Sequence, residues 1–380
     1  MTSLNEAFTR EPIGRASEET MDIRRRQVAS LAVAAAMALA CAASAETLKP
    51  SPLQISANLA AATPLALPDM PLHDPWIVAD AEAGLYRLYT SNITRVSGAR
   101  GLGTMMYVSP DLKTWSPPKA VFIAPTDSWF KGGAWAPEVH SWRGRWWLTT
   151  TFHDESAALP TTGKRAPYRR STVLAVADRP EGPFVLVRDG EPVAPKGLMT
   201  LDGTLYVDPA GKPWFVYAHE WLQTTDGTIE ALPLTDDLVA DGPAKVLFKA
   251  GDAPWVAGPT KPDGDTVFVT DGPELYRTGT GVLLMLWSSY DAQGYVQAQA
   301  RSKSGTLAGP WEQLDPLVRY DSGHGMVFKR FDGQPMMVVH RPFKNARGKL
   351  YEMRDAGDHL EIIRQRIDLD GDAVERVGGP

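Results

Sequence analysis

LHDPW (72–76), WAPEV (135–139), TLDGT (200–204), VTDGP (269–273) and SGHGM (322–326) recur along this 380-residue chain, each carrying a polar residue ahead of a pair of strand-like runs. The polar residues Asp74, Glu138, Asp202, Asp271 and His324 stand 64, 64, 69 and 53 residues apart. That spacing is regular enough to mean one structural unit used five times. In a β-propeller the innermost strand of each blade begins at the central axis. The five segments are therefore expected to deliver four carboxylates and one imidazole to one funnel.

The sequence between the motifs repeats in the same internal order. After Asp74 come WIVAD, a turn, LYRLYT, MMYVS and SPDLKTW. The second unit offers WRGRWWLTTTF, STVLAVA and RPEGPF, and the third DPAGKPWFVYAHEW, TIEALPL and TDDL. The fourth has GTGVLLMLWSS, YVQAQARS and LAGPW; the fifth has FDGQPMMVVHRPF, KLYEMRD and HLEIIRQRI. Short runs rich in β-branched and aromatic residues, punctuated by Gly and Pro, read as strands joined by tight turns. The chain's 33 Gly, 31 Pro and 12 Trp agree with many such turns and strands. The expectation is an all-β, five-bladed propeller of four-stranded antiparallel blades over residues 69–380. A two-sheet sandwich has no reason to repeat its motif at this interval, and the period-2 alternation excludes helical solenoids.

The N-terminal region stands apart. Arg24, Arg25 and Arg26 precede an apolar run over 28–40, and Ala43, Ser44 and Ala45 form an AxA cleavage pattern, so residues 21–45 read as a signal peptide. Residues 1–20, polar and without periodicity, read as an over-extended start ahead of Met21, and 46–68 as a Pro- and Ala-rich linker. An exported, periplasmic or extracellular protein is expected. Cys41, the only cysteine, sits in LAC and would allow a lipid anchor, but Ala38 stands where the motif favours leucine, and cleavage after Ala45 is preferred. Cleavage there would leave no thiol or disulfide chemistry. The formal net charge is −6, with no Lys/Arg-rich stripe beyond residue 30 to draw the folded part to a phosphate backbone. Nucleic acid is not an expected partner.

HDPW, WAPEVHSWRGRWWL, LDGTLYVDPAGKPWFVYAHEW, VTDGPELYR with the following LLMLWSS, and SGHGM with the following HRPF resemble glycoside hydrolase family 43 across residues 68–378. The resemblance rests on five motifs in order, none of them decisive by itself. It implies a propeller that hydrolyses α-L-arabinofuranosides, β-xylosides or β-galactosides of plant-type oligo- or polysaccharides with inversion. Such chemistry takes a carboxylate that activates water on one face of the sugar and a carboxylic acid that protonates the leaving oxygen on the other.

By this resemblance Asp74 is the general base and Asp202 the carboxylate that raises the pKa of the acid and orients it. Without it, Asp74 is equally a strand-entry residue, and Asp202 with Gly203 an Asx turn. The family's acid is a Glu before Gly-Pro, whereas this chain has Asp271, one methylene shorter. Asp271 is the first expectation for the acid and Glu220 the second, with Glu138 a third; Glu274 is expected to be carried away from the axis by its strand.

HEWLQ is not a zinc motif, because Gln223 stands where HExxH requires histidine. His219, Glu220 and Trp221 are expected to bind sugar hydroxyls and faces, as is Glu138 near the axis. Trp76 and Trp135, with Trp129 and Phe130, are candidate sugar platforms or, alternatively, blade packing. The resemblance places His324 beneath the site in a hydrated calcium or a water cluster; no cofactor is required for the chemistry. DLDGD (368–372) reads as a turn. A carbohydrate-binding propeller with weakened catalysis is the alternative, favoured only by Asp271, and four carboxylates around one axis argue against a protein-interaction propeller.

Overall fold

The structure, a computed structural model, describes residues 63–371 except residue 162. The expected signal peptide, Cys41 and the first part of the linker lie outside the described residues. Five four-stranded antiparallel sheets follow one another, each made from consecutive strands. Blade one holds β1 (Trp76–Asp80), β2 (Leu85–Ser91), β3 (Gly103–Ser109) and β4 (Lys119–Ile123). Blade two holds β5 (Gly132–Trp142), β6 (Arg145–Ala158), β7 (Tyr168–Ala177) and β8 (Val185–Leu186). Blade three holds β9 (Thr200–Val207), β10 (Pro213–His219), β11 (Thr228–Pro233) and β12 (Lys245–Lys249). Blade four holds β13 (Asp271–Arg277), β14 (Leu283–Asp291), β15 (Gly294–Ser302) and β16 (Trp311–Gln313). Blade five holds β17 (Gly323–Lys329), β18 (Pro335–Arg341), β19 (Arg347–Asp355) and β20 (Leu360–Gln365).

Each blade is covered on both faces, which is why its middle strands read as unbroken apolar runs. In β14, Leu283, Met285 and Trp287 pack toward blade three while Leu284 and Leu286 pack toward blade five. One apolar cluster fills each of the five blade interfaces. TDDL, expected within the strand pattern of blade three, is a turn, and the fourth strand there is β12. DLDGD opens with a one-turn helix, Ile367–Asp370, whose Asp370 accepts a hydrogen bond from Leu350 N at 2.8 Å.

Among the described residues, no strand from the N-terminal side completes blade five. The ring is closed by packing instead: Leu67, Met70 and Leu72 are wedged among Ile77 and Leu88 of blade one and Val338 and Leu350 of blade five. Leu65 pairs with Trp115, and Arg347 Nε donates to Pro68 O at 2.8 Å. The end of the expected linker is thus part of the propeller. Among the described residues no helix is long and apolar enough to cross a membrane.

The five inner strands share a backbone device that sets the repeat more strictly than the motifs do. Asp74 (φ 47°), Ala136 (φ 45°), Asp202 (φ 52°), Gly272 (φ 50°) and His324 (φ 48°) are all left-handed. In blades two to five the ladder to the neighbouring strand shifts register at this point. A bulge of this kind bends the strand and re-aims the side chain that it carries. Asp202 therefore lies within β9, not ahead of the strand as expected. Of the five residues aligned by motif, Asp74, Asp202 and His324 are equivalent; Glu138 lies two residues beyond its blade's bulge and Asp271 one residue before.

Candidate active site

The left-handed backbone at these positions turns Asp74, Asp202 and His324 into the funnel. His324 Nδ1 stands 3.3 Å from Asp74 Oδ1 and 3.7 Å from both Asp202 Oδ2 and Asp271 Oδ1. Gly272 has no side chain at the fourth position, and the His324 ring occupies the space a Cβ there would need. Gly203 is required for a different reason: a Cβ would stand 1.8 Å from Phe215 Cζ.

Asp74 is buried and ringed by imidazoles. Its Oδ1 lies 2.7 Å from His73 Nδ1 and 3.4 Å from His340 Nδ1, and its Oδ2 accepts from Ala136 N at 3.3 Å. Burial alone would raise its pKa, but the charges of His324 and His73 and the hydrogen bonds from His340 and His73 outweigh burial and hold it well below the usual carboxylate range. His73 moves the other way: burial opposes its charge, yet Asp74 lifts its pKa to about 9. His340 is fully enclosed, and burial depresses it to about 4.

Asp202 has the opposite polarity. Burial first, then the charge and hydrogen bond of Asp271, push its pKa well above the carboxylate range, which favours its protonated form. Its Oδ2 also accepts from Gly272 N at 3.2 Å. Asp271 in turn receives the hydroxyl of Tyr295 on Oδ2 at 2.5 Å.

Glu220 follows β10 directly and is buried. One oxygen is paired with Arg170 Nη1, and Oε2 is enclosed with no hydrogen-bond partner. Burial raises its pKa, the Arg170 charge opposes this, and the Asp271 charge adds to it, for a net upward shift. Arg170 also bonds the Tyr168 hydroxyl and lies over the Trp135 ring at 5.0 Å, which places Trp135 beside Glu220. Both ring nitrogens of His219 have protein partners: its Nδ1 lies 2.8 Å from Glu230 Oε1 and its Nε2 2.9 Å from Gln223 Oε1. Gln223, at the position that excluded zinc, ties the segment down through Met199 N, Pro160 O and Gly197 O.

The remaining candidates divide by depth. Glu138 lies below the funnel, its Oε2 2.8 Å from His140 Nε2. Glu274 is not carried away from the axis: it shares with Glu138, Trp76 and His324 an axial cavity of about 10 Å³ and accepts Val327 N at 2.9 Å. Trp76 packs between blades one and two, with Nε1 donating to Val139 O at 3.1 Å. Trp129 is capped by Arg169 at 3.8 Å, and Phe130 is buried on Phe152. Trp221 sits at the rim between Lys261, 4.5 Å from the ring, and Arg165, 5.7 Å.

Beneath His324, where a hydrated calcium or a water cluster was expected, the space is small. The axial cavity has room for about one water, whereas calcium takes six to eight oxygen ligands. The donor atoms of Asp202, Asp271 and His324 lie within 4.8 Å of one another.

His73, His340, Tyr295 and Arg170 went unassigned at the level of sequence. His73 and His340 stood inside quoted motifs, HDPW and HRPF, where a histidine next to a candidate base was a usable signal. Tyr295 and Arg170 lie within ordinary strands and carry none. Tyr320, 74% exposed at the blade-five rim and left-handed at φ 64°, was equally silent.

Comparison with known proteins agrees with this geometry. The model of glycosyl hydrolases family 43 matches residues 69–371. An endo-arabinase from Bacteroides thetaiotaomicron is 36% identical, with TM-score 0.69, covering 78% of this chain and 99% of its own. An endo-1,4-beta-xylanase from the same organism (22%, TM-score 0.59, 78% and 95% covered) and an alpha-L-arabinofuranosidase from Lactobacillus brevis (15%, TM-score 0.58, 77% and 93% covered) share the fold. No curated protein matches the chain. With five propeller blades converging on buried carboxyls and a family match spanning nearly all of the described residues, the chain belongs to glycosyl hydrolase family 43, a family of glycosidases.

Proposed function

We propose that the protein is an exported, inverting glycosidase of plant-type polysaccharide, acting first on α-L-arabinofuranosyl linkages, with Asp74 as general base and Glu220 as general acid. The observation that carries the reading is the opposed ionisation of the buried carboxyls: Asp74 is held as carboxylate, while the pKa values of Asp202 and Glu220 are raised. Paired acid and base groups pushed apart in this way are what single-displacement hydrolysis requires. Preference for arabinofuranosides is supported by the 36% identical endo-arabinase, and export by the apolar run and AxA pattern over 28–45.

Glu220 is preferred to Asp271 as the acid on two grounds. The Oδ1 atoms of Asp74 and Asp271 lie 3.3 and 3.7 Å from one nitrogen, so they are no more than about 7 Å apart, the short end of the separation that leaves room for a water. Asp271 is also occupied by Tyr295 and Asp202, whereas Glu220 has one enclosed oxygen free to carry the proton. In the reaction Asp74 takes a proton from the attacking water and Glu220 delivers one to the leaving oxygen. Arg170 then holds the glutamate that results.

The test is a panel of aryl α-L-arabinofuranoside, β-xyloside and β-galactoside together with linear arabinan, run on wild type, Asp74→Ala and Glu220→Gln, with the anomer of the first product read by NMR. Turnover on at least one substrate, inverted product and loss in both variants are expected. Oligosaccharide binding with no turnover, or retained product configuration, overturns the proposal.

A further inference from the structure

On the face opposite Asp74 and Glu220, a cavity of about 560 Å³ opens between blades three and four, where β9 and β13 end and the loop between β15 and β16 turns. Its volume is in the range of cavities that enclose small organic ligands. It exists because the residues that would fill it are small. Ala231, on β11, is buried at its floor beside Leu307, and Gly305 and Ala308 edge it.

Its walls are tethered. Tyr206 Oη accepts from Arg277 Nη2 at 2.7 Å, and Arg277 Nη1 donates to Gly281 O at 2.7 Å and Gly305 O at 3.2 Å. Trp214 Nε1 donates to Asp208 Oδ2 at 3.0 Å, and Lys212 lies over its ring at 5.6 Å. Asp208 further accepts from the backbone N–H groups of Ala210 and Lys212. Asp208 and Arg277 are thus held within the protein by neutral partners, and Lys245 on β12 adds a second cation, so the lining carries two cations and one carboxylate among polar edges that are already hydrogen-bonded. Fixed aromatic rings with their donors engaged, set beside such edges, suit a neutral ligand with apolar C–H faces and many hydroxyls.

From this lining we infer a second carbohydrate site, which binds a stretch of the same polysaccharide that the funnel cleaves. The inference rests on the glycosidase reading. Bound there, a polymer would be held at the enzyme's far face while another part of it, or a neighbouring chain, is cut at the funnel. Small substrates would gain nothing from the site.

Calorimetric titration of Glu220→Gln protein with linear arabino- and xylo-oligosaccharides, alone and with Ala308→Trp added, tests the inference. Ala308 is exposed at the cavity edge, so the tryptophan blocks the opening without disturbing packing; Trp214→Ala is the companion variant. Two binding events per chain are expected for one of these oligosaccharide series, the second weakened about tenfold or more by Ala308→Trp. In the otherwise wild-type enzyme, Ala308→Trp should raise KM on polymer and leave aryl-glycoside turnover unchanged. A single binding event untouched by Ala308→Trp, or unchanged polymer kinetics, overturns the second site. A wild type that binds at the cavity but cleaves none of the glycosides overturns the functional reading instead.

Discussion

Gly272 leaves open the space that the His324 ring fills: a Cβ on Gly272 would stand 3.0 Å from two ring carbons, and its left-handed φ of 50° disfavours a side chain. The fourth blade thus gives up a side chain so that the fifth can place an imidazole among three carboxyls. Gly272→Ala should displace His324 by a few tenths of an ångström and strain the backbone, costing about 1 to 2 kcal/mol of stability. Because positional errors at reacting groups are costly in rate, kcat should fall about tenfold or more while the protein still folds. Near-wild-type kcat in a folded Gly272→Ala protein would show that His324 placement does not matter.

The opposed carboxyls predict a bell-shaped kcat/KM profile. Asp74, with its pKa depressed, stays ionised until the pH falls well below the ordinary carboxylate range; protonation there removes the base and forms the acidic limb. Glu220, with its pKa raised, keeps its proton further up the scale, and losing it forms the alkaline limb. Glu220→Gln should reduce turnover of a poor leaving group by about 10² to 10⁴ and abolish the alkaline limb. An activated aryl leaving group, which needs little protonation, should be spared much of that loss.

Asp271→Glu discriminates between the two acids. If Asp271 were the acid, the longer side chain would restore the family's glutamate and activity should hold or rise. With Tyr295 and Asp202 already on its carboxylate, the added methylene instead forces that carboxylate out of both bonds. Activity should drop by about tenfold or more, and a rise would return the acid to position 271.

Much of this architecture was legible in the chain because a blade writes its periodicity twice, in strand alternation and in the recurring turn chemistry at its inner edge. Asp74, Asp202 and His324 were found because each is the left-handed residue of its blade. Glu138 and Asp271 were grouped with them wrongly, since a bulge adds a residue that spacing cannot detect, and only the positive φ values reveal the offset. Pairing is the other thing sequence conceals. Nothing in HEWLQ shows that Glu220 meets an arginine 50 residues earlier, or that Trp76 turns inward between blades while Trp135 lies by the pocket.

Glu274 offers a test of stability that leaves the chemistry alone. Burial raises its pKa well above the ordinary value, Val327 N–H opposes the shift and the Glu138 charge adds to it. A carboxyl whose folded pKa is raised is no liability below its unfolded value, and it costs stability as pH climbs toward the folded one. Glu274→Gln keeps an acceptor for Val327 N and does not titrate. Thermal melts at pH 4 and pH 8 should therefore show variant and wild type close together at the lower pH and the variant the more stable at the higher. A gap that shrinks with rising pH would mean that Glu274 is held as an anion.

Closure of the ring supplies the last prediction. Among the described residues blade five is built from its own four consecutive strands, with no exchanged strand to tie the end of the propeller to its beginning. That task falls on Leu67, Met70 and Leu72, which fill the interface between blades one and five. Leu67 is fully buried, and Leu67→Ala leaves a cavity whose walls belong to opposite ends of the chain. Buried Leu→Ala changes cost about 2 to 5 kcal/mol, and here the loss should appear first as opening of the seam. Hydrogen exchange should quicken in β1 and β19 before it does in β10 or β14, and limited proteolysis should cut near that interface. Uniform acceleration across all five blades would mean that the seam is no weaker than the other interfaces and that closure depends on contacts beyond this apolar wedge.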